Sequence, residues 1–192
     1  MRVVILRHGK VDFQWRRWST SEQFDIDCKM YDKAPIFPLP SDISQFGHQD
    51  IYISSLQRSR ETANQLFGEK DFISTKLLDE VPLCASISSN NRIHASRKNS
   101  IAMNIKLPLV FWNITARLQW LLNIHVQKEC RKETICRAEK IIKMIEEKGN
   151  DCILVTHGFF MHTLLKQMRK QGFKRSHTRL SYANGEFVIA VK

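Results

Sequence analysis

Three short stretches of this chain are almost uninterrupted in their apolar character: Arg2 to Leu6, Ile51-Tyr52-Ile53 and Asp151 to Thr156. Short β-branched runs of this kind, with no polar alternation, are the pattern of strands buried on both faces of a parallel sheet. Phe72-Ile73-Ser74-Thr75 reads as a further strand. Between these runs the apolar positions change to a helical period, predicting helices over 19–33, 56–67, 107–123, 128–148 and 160–171. The fourth helix places Ile135, Ala138, Ile141, Ile142 and Ile145 on one face. Ser19, Thr20 and Ser21, and later Ser54-Ser55, are candidate N-caps. Pro35, Pro38 and Pro40 end the first helix, and Gly68, Gly149-Asn150 and Gly172 stop three others. Near the end, Leu180-Ser181-Tyr182, then Ala183-Asn184-Gly185, then Phe187 to Ala190 carries the Asn-Gly signal of a hairpin, which predicts two antiparallel edge strands.

Strands alternating with helices predict an α/β fold, a three-layer α/β/α sandwich around a mostly parallel central sheet with an antiparallel C-terminal edge hairpin. At 192 residues, 43% of them hydrophobic, the chain fits a single domain over 1–192. Two segments stand outside the alternation, 12–40 and 84–106. The second holds no acidic residue from Cys84 to Lys106, and both are expected to be excursions that roof the functional pocket. In sheets of this type ligands bind just beyond the carboxyl ends of the strands. Three polar clusters fall there: Arg7-His8-Gly9, the turn from Ser54 to Arg58, and His157-Gly158.

Charge narrows the partners. A formal net charge of +11 points to anionic ones, whether phosphorylated metabolites, phosphoproteins, nucleic acid or acidic membrane. The five cysteines are odd in number and form no CxxC pair, which fits a reducing cytoplasm better than a disulfide framework or a zinc site. The N-terminal apolar run is too short for a signal peptide. The longest later one, Leu107 to Leu122, contains Asn113 and Arg117 and is shorter than the ~20 residues of a spanning helix, so the expectation is a soluble protein.

A single histidine after a buried strand is most simply a hydrogen-bonded core residue, and Arg58 by itself is a solvated helix residue. Two histidines in equivalent positions weaken the first reading. Each of His8 and His157 is followed by glycine, which lets the backbone approach an anion closely. Arg7 precedes His8, and Arg58 opens the helix after the second strand, so two forked guanidinium groups can converge on one tetrahedral anion.

Taken together, Arg7-His8-Gly9-Lys10, the segment from Ser54 to Ala63, Leu78-Asp79-Glu80 and Val155-Thr156-His157-Gly158 resemble, in order and spacing, the histidine phosphatase superfamily of phosphoglycerate mutase-like proteins. The resemblance runs the length of the chain. It implies a metal-independent phosphomonoester hydrolase without cofactor, in which His8 takes up the phosphoryl group and passes it to water. Arg7, Arg58, His157 and the Gly158 backbone would hold the phosphate, with His157 as imidazolium. The family's general acid falls at Glu80, although the adjacent Asp79 is the alternative and either can be an ordinary surface carboxylate. Lys10 and Arg16 are candidate substrate contacts.

The chain also departs from the family pattern. Mutase-type members carry Thr or Ser and then Asn soon after Arg-His-Gly, where this sequence reads Lys10-Val11-Asp12-Phe13-Gln14-Trp15. The proline usual in the second motif is Ser55, and the helix normally preceding that motif shrinks to a few residues around Phe46-Gly47-His48. These differences favour transfer to water over a mutase-type phosphotransferase, the alternatives being that mutase and a non-catalytic phosphate-binding protein of the same fold. Two basic clusters remain: Arg92, His94, Arg97, Lys98 and Lys106, and Lys166, Arg169, Lys170, Lys174, Arg175 and Arg179. They can steer an anionic substrate, bind an acidic protein or simply be solvated surface, and no nucleic-acid-binding motif accompanies them.

Overall fold

Val3, Val4, Ile5 and Leu6 are all fully buried, so the first strand lies at the centre of its sheet, as its unbroken apolar run requires. The computed structural model describes residues 1–39, 49–85, 105–124, 127–176 and 181–192. These gather into two compact units. The first comprises Met1–Asp12, Lys33–Val81 and Thr134–Lys192, and the second Phe13–Asp32 and Pro82–Glu133.

The first unit holds β1 (Arg2–Arg7), β3 (Asp50–Ser54), β4 (Ile73–Thr75), β6 (Cys152–Thr156), β7 (Lys174–Arg175) and β8 (Phe187–Val191) in one six-stranded sheet of order β4-β3-β6-β1-β8-β7. The first four strands run parallel, while β8 and β7 close the sheet antiparallel. Registers pair Val4 with Ile153 and Ile153 with Ile51, so alternate residues of three strands share a face. That face, with Leu6, Ile53 and Val155, packs under Ala63 and Phe67 of α2 (Gln57–Phe67). The opposite face is covered by the helix pair Arg131–Lys148 and Gly158–Lys170, whose Lys148 lies over the Tyr52 ring and whose Arg137 lies 4.1 Å over the Phe160 ring. Helices on both sides make the expected three-layer α/β/α sandwich.

The C-terminal edge is antiparallel as predicted, but its partner strand differs. β8 pairs with Lys174-Arg175, not with Leu180-Ser181-Tyr182; Ser181 and Tyr182 are not in a strand, and Leu180 lies outside the described residues. Ser54 and Ser55 do not cap α2 either. Its N-cap is Leu56, without a side-chain cap bond, and both serines turn to Asp79.

The second unit has β2 (Trp18–Ser19) paired with β5 (Leu107–Pro108), α1 (Ser21–Lys33) and α3 (Leu109–Leu121). Thr20 and Gln23 exchange bonds, Gln23 N–H to Thr20 Oγ1 at 3.3 Å and Thr20 N–H to Gln23 Oε1 at 3.1 Å, a capping box that fixes where α1 starts. Phe24, Ala85 and Trp112 form its core, and Trp112 donates its indole N–H to the Ser19 carbonyl at 3.0 Å. Residues 13–32 of the first anticipated excursion belong here and 33–39 to the sheet unit; 86–104 of the second, and the Phe46 to His48 stretch, lie outside the described residues. We label the pair Arg131–Lys148 and Gly158–Lys170 as α4 and α5. No helix among the described residues is long and apolar enough to cross a membrane.

Candidate active site

β3, β6 and β1 are adjacent and parallel, so their carboxyl ends open on the same edge of the sheet. This topology brings His8, Arg58 and His157 together. All three are buried, at 2%, 1% and 0% exposure. The His8 and His157 rings lie 4.9 Å apart, centroid to centroid, tilted by 53°.

His8 continues the ladder beyond β1 through its N–H to the Thr156 carbonyl at 2.9 Å. Its Nδ1 lies 2.7 Å from the Gly9 carbonyl. A carbonyl only accepts, so Nδ1 carries the proton and Nε2 the lone pair. Burial, then the Arg58 guanidinium and, more weakly, Arg7 lower the His8 pKa to about 3 against the opposing pull of the Gly9 carbonyl, so the ring is neutral. The loop is anchored from several sides. Gly9 N–H donates to Thr62 Oγ1 at 2.9 Å, and Thr62 donates to the Arg58 carbonyl at 2.6 Å. Asn184 Nδ2 donates to the His8 carbonyl at 3.1 Å, and Gly185 N–H reaches the carbonyls of Arg7 and His8 at 3.2 Å each.

His157 is held by a relay. Arg58 Nε–H donates to its Nδ1 at 3.1 Å, which places the ring proton on Nε2, 2.7 Å from Ser54 Oγ. Ser54 then donates to Asp79 Oδ1 at 2.8 Å. The resemblance implied an imidazolium here. Instead, complete burial, followed by His8, Arg58, Arg137 and Arg7, pushes the His157 pKa well below the usual histidine range, leaving the ring neutral without an anion nearby.

Arg7 Nη1 donates to the Tyr182 carbonyl, and its Nε is buried with no hydrogen-bond partner among the described residues. Gly158 gives the guanidinium room, since a Cβ there would lie 2.9 Å from Arg7 Nε and 3.0 Å from its Cζ. Glu80 joins the cluster through α5: Oε1 accepts from Phe160 N–H at 3.0 Å and Oε2 from Phe159 N–H at 3.3 Å, with Val81 N–H also bound to Oε1. A carboxylate suits a helix N-terminus. Asp79 is committed elsewhere, accepting from Ser54, from Ser55 N–H at 2.7 Å and from Ser55 Oγ at 2.7 Å. Its carbonyl, with those of Lys76 and Leu77, receives Arg137.

Two candidates have other partners. Lys10 is exposed, 5.4 Å over the Phe37 ring, and Arg16 belongs to the second unit, where Asp27 at 2.8 Å and the Gln23 carbonyl engage it. Ser54 and Thr62 fall inside the Ser54 to Ala63 motif without a site role of their own in the sequence, while Arg137, Tyr182 and Asn184 are not among the residues expected at the site; Asn184-Gly185 carries only the signal of a hairpin turn.

No family model matches this chain, and no curated protein matches it. Solved structures do. The product of a Mycobacterium tuberculosis open reading frame is 15% identical, with 98% of this chain and 89% of that one covered and a TM-score of 0.54. A mycobacterial glucosyl-3-phosphoglycerate phosphatase, solved with VO3, is 16% identical with 98% and 91% covered and a TM-score of 0.52. Phosphoserine phosphatase from Entamoeba histolytica, solved with 3-phosphoglyceric acid, is 13% identical with 98% and 89% covered and a TM-score of 0.50. The chain has the fold of these three proteins, an α/β sandwich around a mostly parallel sheet.

Proposed function

We propose that the protein is a metal-independent phosphomonoesterase of the histidine phosphatase superfamily working through phospho-His8. The observation that carries this reading is the Gly9 carbonyl on His8 Nδ1, which leaves Nε2 as an unprotonated nucleophile beside Arg58 and His157. His8 Nε2 attacks phosphorus as the ester P–O bond breaks, and Glu80, entering the step protonated, gives its proton to the departing alkoxide and becomes the carboxylate. Water then attacks the phospho-His8, gives its proton to Glu80 and releases inorganic phosphate with neutral His8. Arg7, Arg58, His157 and the Gly158 backbone stabilise the equatorial oxygens. An arriving dianion that draws the Arg58 Nε–H away from His157 Nδ1 frees that nitrogen to take up a proton, so substrate binding and His157 protonation are coupled. Small phosphorylated metabolites or phosphoproteins are the substrate class, and the five free thiols fit a reducing cytoplasm.

The test is hydrolysis of 4-nitrophenyl phosphate in the presence of a chelator. We expect turnover by wild type, loss of at least about 10³-fold in His8→Ala, and acid-labile, base-stable phosphate trapped on the wild-type chain alone. A wild-type protein without turnover overturns the reading.

A further inference from the structure

The second basic cluster has a place in the fold that the proposed reaction does not use. His162, Lys166 and Arg169 are spaced i, i+4, i+7 on α5 and share one exposed face. With Leu165, Arg175 of β7 and Tyr182 they line a cavity of about 280 Å³. No carboxylate among the described residues lines it. Among the described residues Lys166, Arg169 and Arg175 make no ion pair. Glu186, whose charge acts on Tyr182, spends its oxygens on Ser181 and Ala183 at 2.6 to 3.1 Å. Three like charges around one cavity repel one another until an anion enters.

Tyr182 connects this cavity to the His8 cluster. Its ring lines the cavity, 5.9 Å from the His162 ring, while its carbonyl accepts from Arg7. Its φ of 55° is a left-handed conformation that costs a residue with a bulky side chain about 1 kcal/mol or more. The ring that lines the cavity and the carbonyl that receives Arg7 thus belong to one residue in a strained conformation.

We propose that His162, Lys166, Arg169, Arg175 and Tyr182 form a second anion site that takes a compact polyanion and reports its occupancy to Arg7 through Tyr182. The cavity is just below the usual size of small-molecule sites, which suits an acid of a few carbons bearing phosphoryl or carboxylate groups. This goes beyond hydrolysis at His8, and only its kinetic consequence rests on the phosphatase reading.

The test is titration calorimetry with phosphonoacetate, a polyanion that is not a phosphate ester, on wild type, Arg58→Gln and the double variant Arg169→Gln/Arg175→Gln, whose surface changes leave the fold intact. We expect two binding events in wild type, one surviving in each variant. A single event untouched by the double variant, or none at all, overturns the site. In the aryl-phosphate assay, phosphonoacetate should change KM or kcat about five-fold or more in wild type beyond the competition seen in the double variant. Two binding events without that difference retain the site and overturn the coupling to Arg7; two events with no turnover refute the phosphatase and leave the site standing.

Discussion

Arg7 lies against the α-carbon of Gly158 so closely that a methyl group on residue 158 would meet its guanidinium at 2.9 Å. Gly158 is therefore required by its neighbour, the first residue of α5 yielding its side-chain volume to the last residue of β1. Gly158→Ala should displace Arg7 and lower kcat about 10²-fold, the loss of one charge-stabilising donor, with little change in melting temperature. Steady-state kinetics beside a thermal melt checks this; kcat within two-fold of wild type removes Arg7 from the phosphate site.

Glu80 caps α5 through Phe159 and Phe160 N–H, and the proposed mechanism adds proton exchange with the leaving group. Glu80→Gln keeps an acceptor for Phe159 and Phe160 but removes the transferable proton. Turnover of an alkyl phosphate should fall at least ten-fold more than turnover of 4-nitrophenyl phosphate, whose leaving group needs no acid. Equal losses would assign Glu80 to the cap alone.

The relay from Arg58 through His157 and Ser54 ends on Asp79, which also holds Ser55. Asp79→Asn weakens three acceptor contacts and should cost about 1–3 kcal/mol of stability. It should also lower kcat, because His157 loses the partner that orients Ser54. Urea denaturation and kinetics on one preparation test both effects, and unchanged values in both contradict the relay.

His8 and His157 set a pH dependence of stability. Both titrate lower in the folded state than the ordinary 6.5, His8 near 3, so the unfolded chain binds more protons in between. Stability is fully present above about pH 6.5 and declines as pH falls towards 3, by up to about 1.4 kcal/mol per pH unit for each histidine. Urea midpoints between pH 7 and pH 5 should drop, and His8→Asn and His157→Asn should each flatten the slope. Slopes identical to wild type would place the proton uptake elsewhere.

Asn184 ties the loop after β1 to the turn before β8. Asn184→Ala should lower kcat several-fold with KM nearly unchanged, since under the proposed mechanism His8 loses placement while the phosphate keeps its donors. A rise in KM alone would contradict that role.

What the sequence made legible follows from burial. β1, β3 and β6 are covered on both faces, so their apolar runs are unbroken and their ends can be located. The polar residues that follow are the ones the sheet must bring together, which is why Arg7, His8, Arg58 and His157 were readable. β7 was not, because Lys174-Arg175 is two exposed cations with no strand pattern. Asn184-Gly185 was read locally as a hairpin turn, yet its bonds go to residues about 176 positions earlier. Thr62 and Arg137 look like ordinary helix residues, since helical spacing says nothing of what lies across from a face.

β1 precedes its hydrogen-bonding neighbours in the sheet, β6 and β8, by more than 140 residues. During synthesis the strand that leads into His8 has neither neighbour to join until those segments leave the ribosome. Completion of this sheet waits for them, with a long-range closure that is slow and leaves an apolar strand uncovered meanwhile. Removal of β8 would leave β1, the strand that leads into His8, with an unpaired edge, so truncation there should abolish activity outright rather than diminish it by degrees.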